Sequence, residues 1–187
     1  NSILIDILPN VNFYCLTNLS VPMKTNKIAQ KLMERGSWSQ FGVSIETVGD
    51  RFEYVRRNAS WDLFTDNVKY FNEIGKPLEA HSLYSIYSAF NLVEFYDFIL
   101  EHKFLNIFWN LLESAGENSK ASVFRLPKKL KDKAIQEIDR CAEKYKGEIG
   151  IHHLEGYKNN LVNQIDNEST TEYHLNEIKS LELLQPY

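Results

Sequence analysis

The chain has 187 residues, enough for one domain with a sizeable core. Hydrophobic residues make up 43% and charged residues 25%, as in soluble globular proteins, which excludes a low-complexity, collagen-like or disordered chain. The net charge of −4 gives no global electrostatic footprint for nucleic acid, and a nucleic-acid partner is not expected. The two cysteines, Cys15 and Cys141, form neither a CxxC nor a Cys/His cluster with metal-ligand spacing. A disulfide framework is not expected, and a reducing cytoplasmic setting is. The uncharged stretch 81–93 is too short and too polar to cross a bilayer. The chain opens without Met and without a basic leader, so it is expected to be a trimmed chain or a piece of a longer one.

Residues 11–18 predict a buried strand, with Val11, Phe13 and Cys15 on one face at period two. Residues 24–35 predict a helix with Ile28, Ala29 and Leu32 on one side and Gly36 as its cap. Residues 41–46 are the second strand, and 48–57 a loop with a short helical piece. Ser60 caps a helix to about residue 74, where Phe64, Val68 and Phe71 fall at i, i+4, i+7. Gly75-Lys76-Pro77 stops it. Residues 78–85 are the third strand, 92–102 an aromatic-rich helix capped by Asn91, and 105–112 the fourth strand. Residues 113–120 read as a loop and 122–126 as a short strand or extended linker. Only helices follow, at 129–145, 152–166 and 171–184.

Strands separated by helices of this length are the signature of right-handed βαβ units. The fold class is therefore α/β: a parallel sheet of about four βα units over residues 1–126, either a small open sheet or a consecutive piece of a larger TIM-like barrel, with a C-terminal helical extension over 127–187. In such folds ligands sit beyond the C-terminal strand ends. The residues there include Thr17, Asn18 and Ser20, then Ser44, Glu46 and Thr47, then His81, Ser82 and Tyr84, then Asn110 and Glu113. No GxGxxG, P-loop, HExxH or GxSxG is present.

These residues also carry a family resemblance. Thr17-Asn18 ends a strand; Ser44-Ile45-Glu46-Thr47 ends the next. Phe52-Glu53-Tyr54-Val55-Arg56 and Ser60-Trp61 follow. Over roughly residues 1–145 the chain resembles the C-terminal portion of a radical S-adenosylmethionine protein, in the branch with a twitch-type partial barrel. The run from 44 to 61 is the most specific part. The segment from Asn91 and the Arg125-Leu126-Pro127 segment resemble later parts of the same family. On this resemblance residues 3–8 are the tail of the helix before the family's third barrel strand.

The resemblance implies S-adenosylmethionine as a ligand. Ser44 would line its methionine or ribose site, Arg56 would pair with its carboxylate, and Thr17, Asn18 and Glu46 would line the pocket. A guanidinium suits a carboxylate because its fork matches both oxygens. Each has a plainer reading. Arg56 could pair with Asp50 or Glu53, Thr17 and Asn18 suit turn chemistry, and Glu46 could cap the next helix. His81 and Asn110 would line a substrate pocket. The family's CxxxCxxC loop, which binds a [4Fe–4S] cluster, is missing from this sequence, as is its Gly-Gly-Glu-like motif. The cluster is expected only in a longer parent, so no tightly bound iron and no catalysis by this chain alone are expected. Glu46-Thr47 also departs from the family's usual Asp-Gly.

His152-His153 point in different directions at a helix start and do not suit joint metal ligation. The aromatic series from Tyr84 to Trp109, Phe108 included, reads as core or else as a hydrophobic surface for a partner or an absent half-barrel, and Lys128 to Lys133 as a solvated helix start. The second class of function is a non-catalytic α/β binding module. In either case exposed strand edges and an uncovered sheet face predict a homo-oligomer, or contact with a missing N-terminal half.

Overall fold

The sheet is built by period-two alternation. A computed structural model describes residues 11–34, 39–111 and 121–167. Within them four strands, β1 (Phe13–Thr17), β2 (Ser39–Ser44), β3 (Glu79–Tyr84) and β4 (Asn106–Leu111), form one parallel sheet in the order β1-β2-β3-β4. Phe13 pairs with Ser39 and Thr17 with Val43; Gly42 pairs with Glu79 and Ser44 with His81. Strand order follows chain order, as repeated βα units require.

The helices are α1 (Lys27–Glu34), α2 (Asp50–Val55), α3 (Trp61–Glu73), α4 (Leu92–Glu101), α5 (Lys128–Lys144) and α6 (His152–Asn167). Ser60 caps α3 as expected, its Oγ accepting from Leu63 N at 3.2 Å. The expected extended piece at 122–126 is instead a 3₁₀ turn, Val123–Arg125, because the Ser122 hydroxyl accepts from Phe124 N and tightens the chain. The cap expected at Gly36, the loop at 113–120 and the helices at 3–8 and 171–184 lie outside the described residues.

The chain divides into two compact units. The first is Asn1–Leu83 with Val93–Asn110, and the second Tyr84–Leu92 with Leu111–Tyr187. In the first, one face of the sheet is covered by helices. Phe41 meets Phe71 of α3 edge to face at 4.9 Å, and Trp109 meets Phe95 of α4 at 5.2 Å. Phe41, Val43, Ala80, Ile107 and Trp109 are buried there. Burying each large side chain contributes about 2 kcal/mol. In the second unit Tyr84 stacks on Tyr157 at 5.2 Å. Ile138, Cys141, Leu154 and Leu161 are buried. Lys131 is only 1% exposed, so the helix start read as solvated is buried at this position. It falls on the stripe of Ala134, Ile138 and Cys141 at i+3, i+7 and i+10, and its long stem packs like an apolar chain.

Among the described residues no helix is long and apolar enough to cross a membrane.

Candidate functional site

Two clusters stand out in the first unit, one past the strand ends and one on the sheet face opposite the helices. The first begins where β2 leaves the ladder. Ile45 N still donates to His81 O at 3.0 Å, and the Ser82 hydroxyl donates to Ile45 O. Glu46 and Thr47 then pass through buried surroundings. Gly49, at φ 63°, turns the chain into α2 in a conformation that favours glycine. Arg56 ends α2, its N–H donating to Phe52 O.

The short helix thus brings Arg56 back over Glu46. Arg56 Nε donates to Glu46 Oε2 at 2.9 Å, and Nη2 donates to Oε1. This two-armed geometry is the strong form of a charge-assisted pair. The side chains are 21% and 8% exposed. An aromatic stack fixes α2 in place: Phe52 lies 5.2 Å from Trp61 and 4.7 Å from Phe64, and Trp61 lies 4.9 Å from Phe98. Glu53, one of the local partners open to Arg56 in the sequence, instead accepts from Trp61 N at 2.7 Å at the start of α3.

The loop after β1 is held by its own side chains. Thr17 Oγ1 accepts from Leu19 N at 3.1 Å and Asn18 Oδ1 from Ser20 N at 3.2 Å. These are the turn bonds open to such residues. Sequence reasoning missed Asn67 of α3. Its buried amide donates to Leu19 O and Val21 O, both at 2.9 Å, and accepts from Met23 N at 2.8 Å. A polar residue between Phe64 and Val68 on the buried side of the helix was the available signal.

The second cluster lies on the other face. Ser44 and His81 are register partners there. Tyr14 Oη and His81 Nε2 are hydrogen-bonded across β2, and the rings meet edge to face at 5.9 Å. Gly42 lies beneath them. A Cβ there would sit 2.8 Å from His81 Nε2 and clash with the Tyr14 hydroxyl, so the contact requires glycine. His81 stacks on Phe108 at 4.9 Å. Phe108, read as core, is 39% exposed because β4 alternation turns it to the uncovered face. Burial raises the Tyr14 hydroxyl to about 12, aided by the nearby Glu79 carboxylate. Asn110 is exposed on β4, two residues beyond Phe108. Thus Glu46 and Arg56 are joined, Ser44 and His81 are adjacent, and Thr17 and Asn18 turn onto their own backbone. Tyr14, Gly42 and Glu79 were legible only as alternation partners of the residues singled out.

The thiols do not suit an iron–sulfur cluster. Cys15 is half-buried among the inward-alternating residues of β1, where burial pushes its thiol up and disfavours the thiolate a metal needs. Cys141 is buried in α5. Among the described residues no group of three His, Cys, Asp or Glu could hold a metal ion.

No protein-family model matches the sequence, and no curated protein matches it. Among solved structures the chain is similar in fold to Streptococcus suis SuiB, in a crystal structure bound to S-adenosylmethionine. The TM-score is 0.55 at 15% identity, over 79% of this chain. The chain spans 33% of the length of SuiB. The likeness is one of fold: a parallel α/β sheet shared with a protein that binds S-adenosylmethionine.

Proposed function

We propose that this chain binds S-adenosylmethionine at the C-terminal ends of β1 to β3 and supplies part of the ligand surface of a radical S-adenosylmethionine protein. The observation that carries this reading is the Glu46–Arg56 pair, at the strand end where the family resemblance is most specific. The fold shared with a protein crystallised with S-adenosylmethionine supports it. In this reading Glu46 accepts from the ribose hydroxyls and Arg56 holds it in place, its charge facing the ligand carboxylate. Ser44, Thr17 and Asn18 line the same end, and His81 and Asn110 line a neighbouring substrate surface. S-adenosylmethionine, when bound with a reduced cluster from a longer parent, would supply radical chemistry. The thiols here do not suit that cluster, so no step is assigned to this chain's residues.

The test is calorimetric titration of the purified chain with S-adenosylmethionine. Saturable binding is expected, weakened about tenfold in Arg56→Ala, a loss of about 1.4 kcal/mol. Circular dichroism confirms folding, and Arg56→Lys should recover part of the affinity. No heat of binding to the folded wild type would overturn the reading.

A second reading, a non-catalytic interaction module that self-associates, is favoured by Leu16 and Leu83, which are exposed on the strands. Sedimentation showing a monomer at all concentrations would remove it.

A further inference from the structure

We propose that Asn67 is a positioning residue for the ligand end of the sheet: it holds the exit of β1 in the backbone path that turns the amide donors of Asn18 toward a bound ligand. This role rests on the S-adenosylmethionine reading and adds to it a residue that does not itself touch the ligand.

The path is a strained one. Leu19 sits at φ 51°, in the left-handed region that a non-glycine residue holds only when its surroundings enforce it. The exit Thr17-Asn18-Leu19-Ser20 contains no glycine to relieve the turn. The Leu19 side chain is buried, so the conformation is locked into the core.

The enforcement comes from two helices. Asn67 of α3 donates to Leu19 O and Val21 O, both at 2.9 Å, and accepts from Met23 N at 2.8 Å. One buried amide thus fixes backbone groups from Leu19 to Met23. Gln30 of α1 braces the far end, its Nε2 donating to Met23 O at 2.8 Å and to Tyr70 Oη at 3.0 Å.

The consequence falls on Asn18. Thr17 pairs with Val43, so Asn18 follows beside Ser44 at the end of the sheet. Asn18 Oδ1 accepts from Ser20 N, and Thr17 Oγ1 accepts from Leu19 N. With these oxygens engaged by the turn, the exit presents donors, the Asn18 amide N–H groups and the Thr17 hydroxyl proton. S-adenosylmethionine offers acceptors to them in its carboxylate, ribose oxygens and adenine nitrogens. Relaxing Leu19 to an ordinary φ would rotate the peptide after Asn18 and break both turn bonds. A loop already held in its binding shape spares the ligand the cost of ordering it.

The test is a double-mutant cycle read by calorimetric titration with S-adenosylmethionine, at a temperature where circular dichroism shows each variant folded. Asn18→Ala is expected to weaken binding about fivefold and Asn67→Ala about tenfold. A residue acting through Asn18 makes the double variant bind about as weakly as Asn67→Ala alone. A purely structural Asn67 makes the two losses multiply, which would overturn the proposal. Gln30→Met, a change of similar size at a half-buried position, serves where Asn67→Ala does not fold. It should weaken binding about threefold, and the effect should vanish in the Asn18→Ala background. Wild-type affinity in the folded Asn67 or Gln30 variants would overturn the positioning role and leave the ligand reading standing. No binding by the folded wild type would remove both.

Discussion

Arg56 and Glu46 stand ten residues apart and close a two-armed ion pair that ties the end of α2 to the exit of β2. The pair is mostly shielded, so losing one partner leaves the other charge with poor solvation. Arg56→Ala is expected to cost about 2 kcal/mol of unfolding free energy. Glu46→Ala should cost a similar amount, and the double variant less than the sum, because neither charge is then orphaned. Urea unfolding of the four proteins measures the coupling. Strict additivity would show that the pair is energetically idle.

Asn67 is the polar anchor of the loop after β1. Its amide meets three backbone groups, all between 2.8 and 2.9 Å. Asn67→Ala removes the acceptor for Met23 N and both donors, and water reaches this buried site poorly. A loss of about 3 kcal/mol is expected. Asn67→Asp is the sharper variant: it keeps the acceptor for Met23 N but turns a carboxylate toward two carbonyls. It should be no more stable than Asn67→Ala. Near-wild-type stability of the Asp variant would refute the assigned orientation of the amide.

The strands were legible because each carries a period-two pattern bounded by Pro, Gly or Asn. β2 was read two residues late, as 41–46. Ile45 and Glu46 are as buried as Phe41 and Val43, and burial does not distinguish a ladder residue from a buried exit. The Ser44–Arg56 region was legible as a site, but its geometry was not. Sequence distance favoured Asp50 or Glu53 as the partner of Arg56, whereas the turn at Gly49 delivers Glu46. The buried Lys131 was hidden by its own charge, although its spacing from Ala134, Ile138 and Cys141 marks the inner stripe. Tyr14 and His81 could not be paired without the register that sets β1 and β3 on either side of Gly42.

Burial lowers the His102 imidazole below its ordinary value, against a smaller opposing effect of Glu101. Its ring packs 4.4 Å from Phe98. The folded state therefore prefers neutral His102 and binds fewer protons than the unfolded state near pH 6. This contribution is fully present above the unfolded value of about 6.5. It is lost as pH falls through the depressed folded value. His102→Gln removes it. Stability of the wild type should fall more steeply than that of the variant between about pH 7 and pH 5. Parallel slopes would show that the ring is solvated in the folded state.

The alkaline limb tests the opposite sign at Tyr14. Its hydroxyl is raised to about 12 by burial and by Glu79, so the folded chain holds the phenol proton where the unfolded chain has lost it. The stabilisation is complete below the unfolded value of about 10 and disappears as pH rises through about 12. Gly42→Ala should act on the same limb. Its new Cβ would lie 2.8 Å from His81 Nε2, and two rings cannot both yield, so Tyr14 is displaced from His81 and Glu79. Overpacking of this kind costs about 1–3 kcal/mol. Ultraviolet titration of tyrosinate in the difference between wild type and Tyr14→Phe isolates this group. The midpoint should lie near 12 in the wild-type background and move toward 10 when Gly42→Ala or Glu79→Gln is introduced. A midpoint already near 10 in the wild type would mean that the Tyr14 hydroxyl is solvated rather than held against His81 in solution.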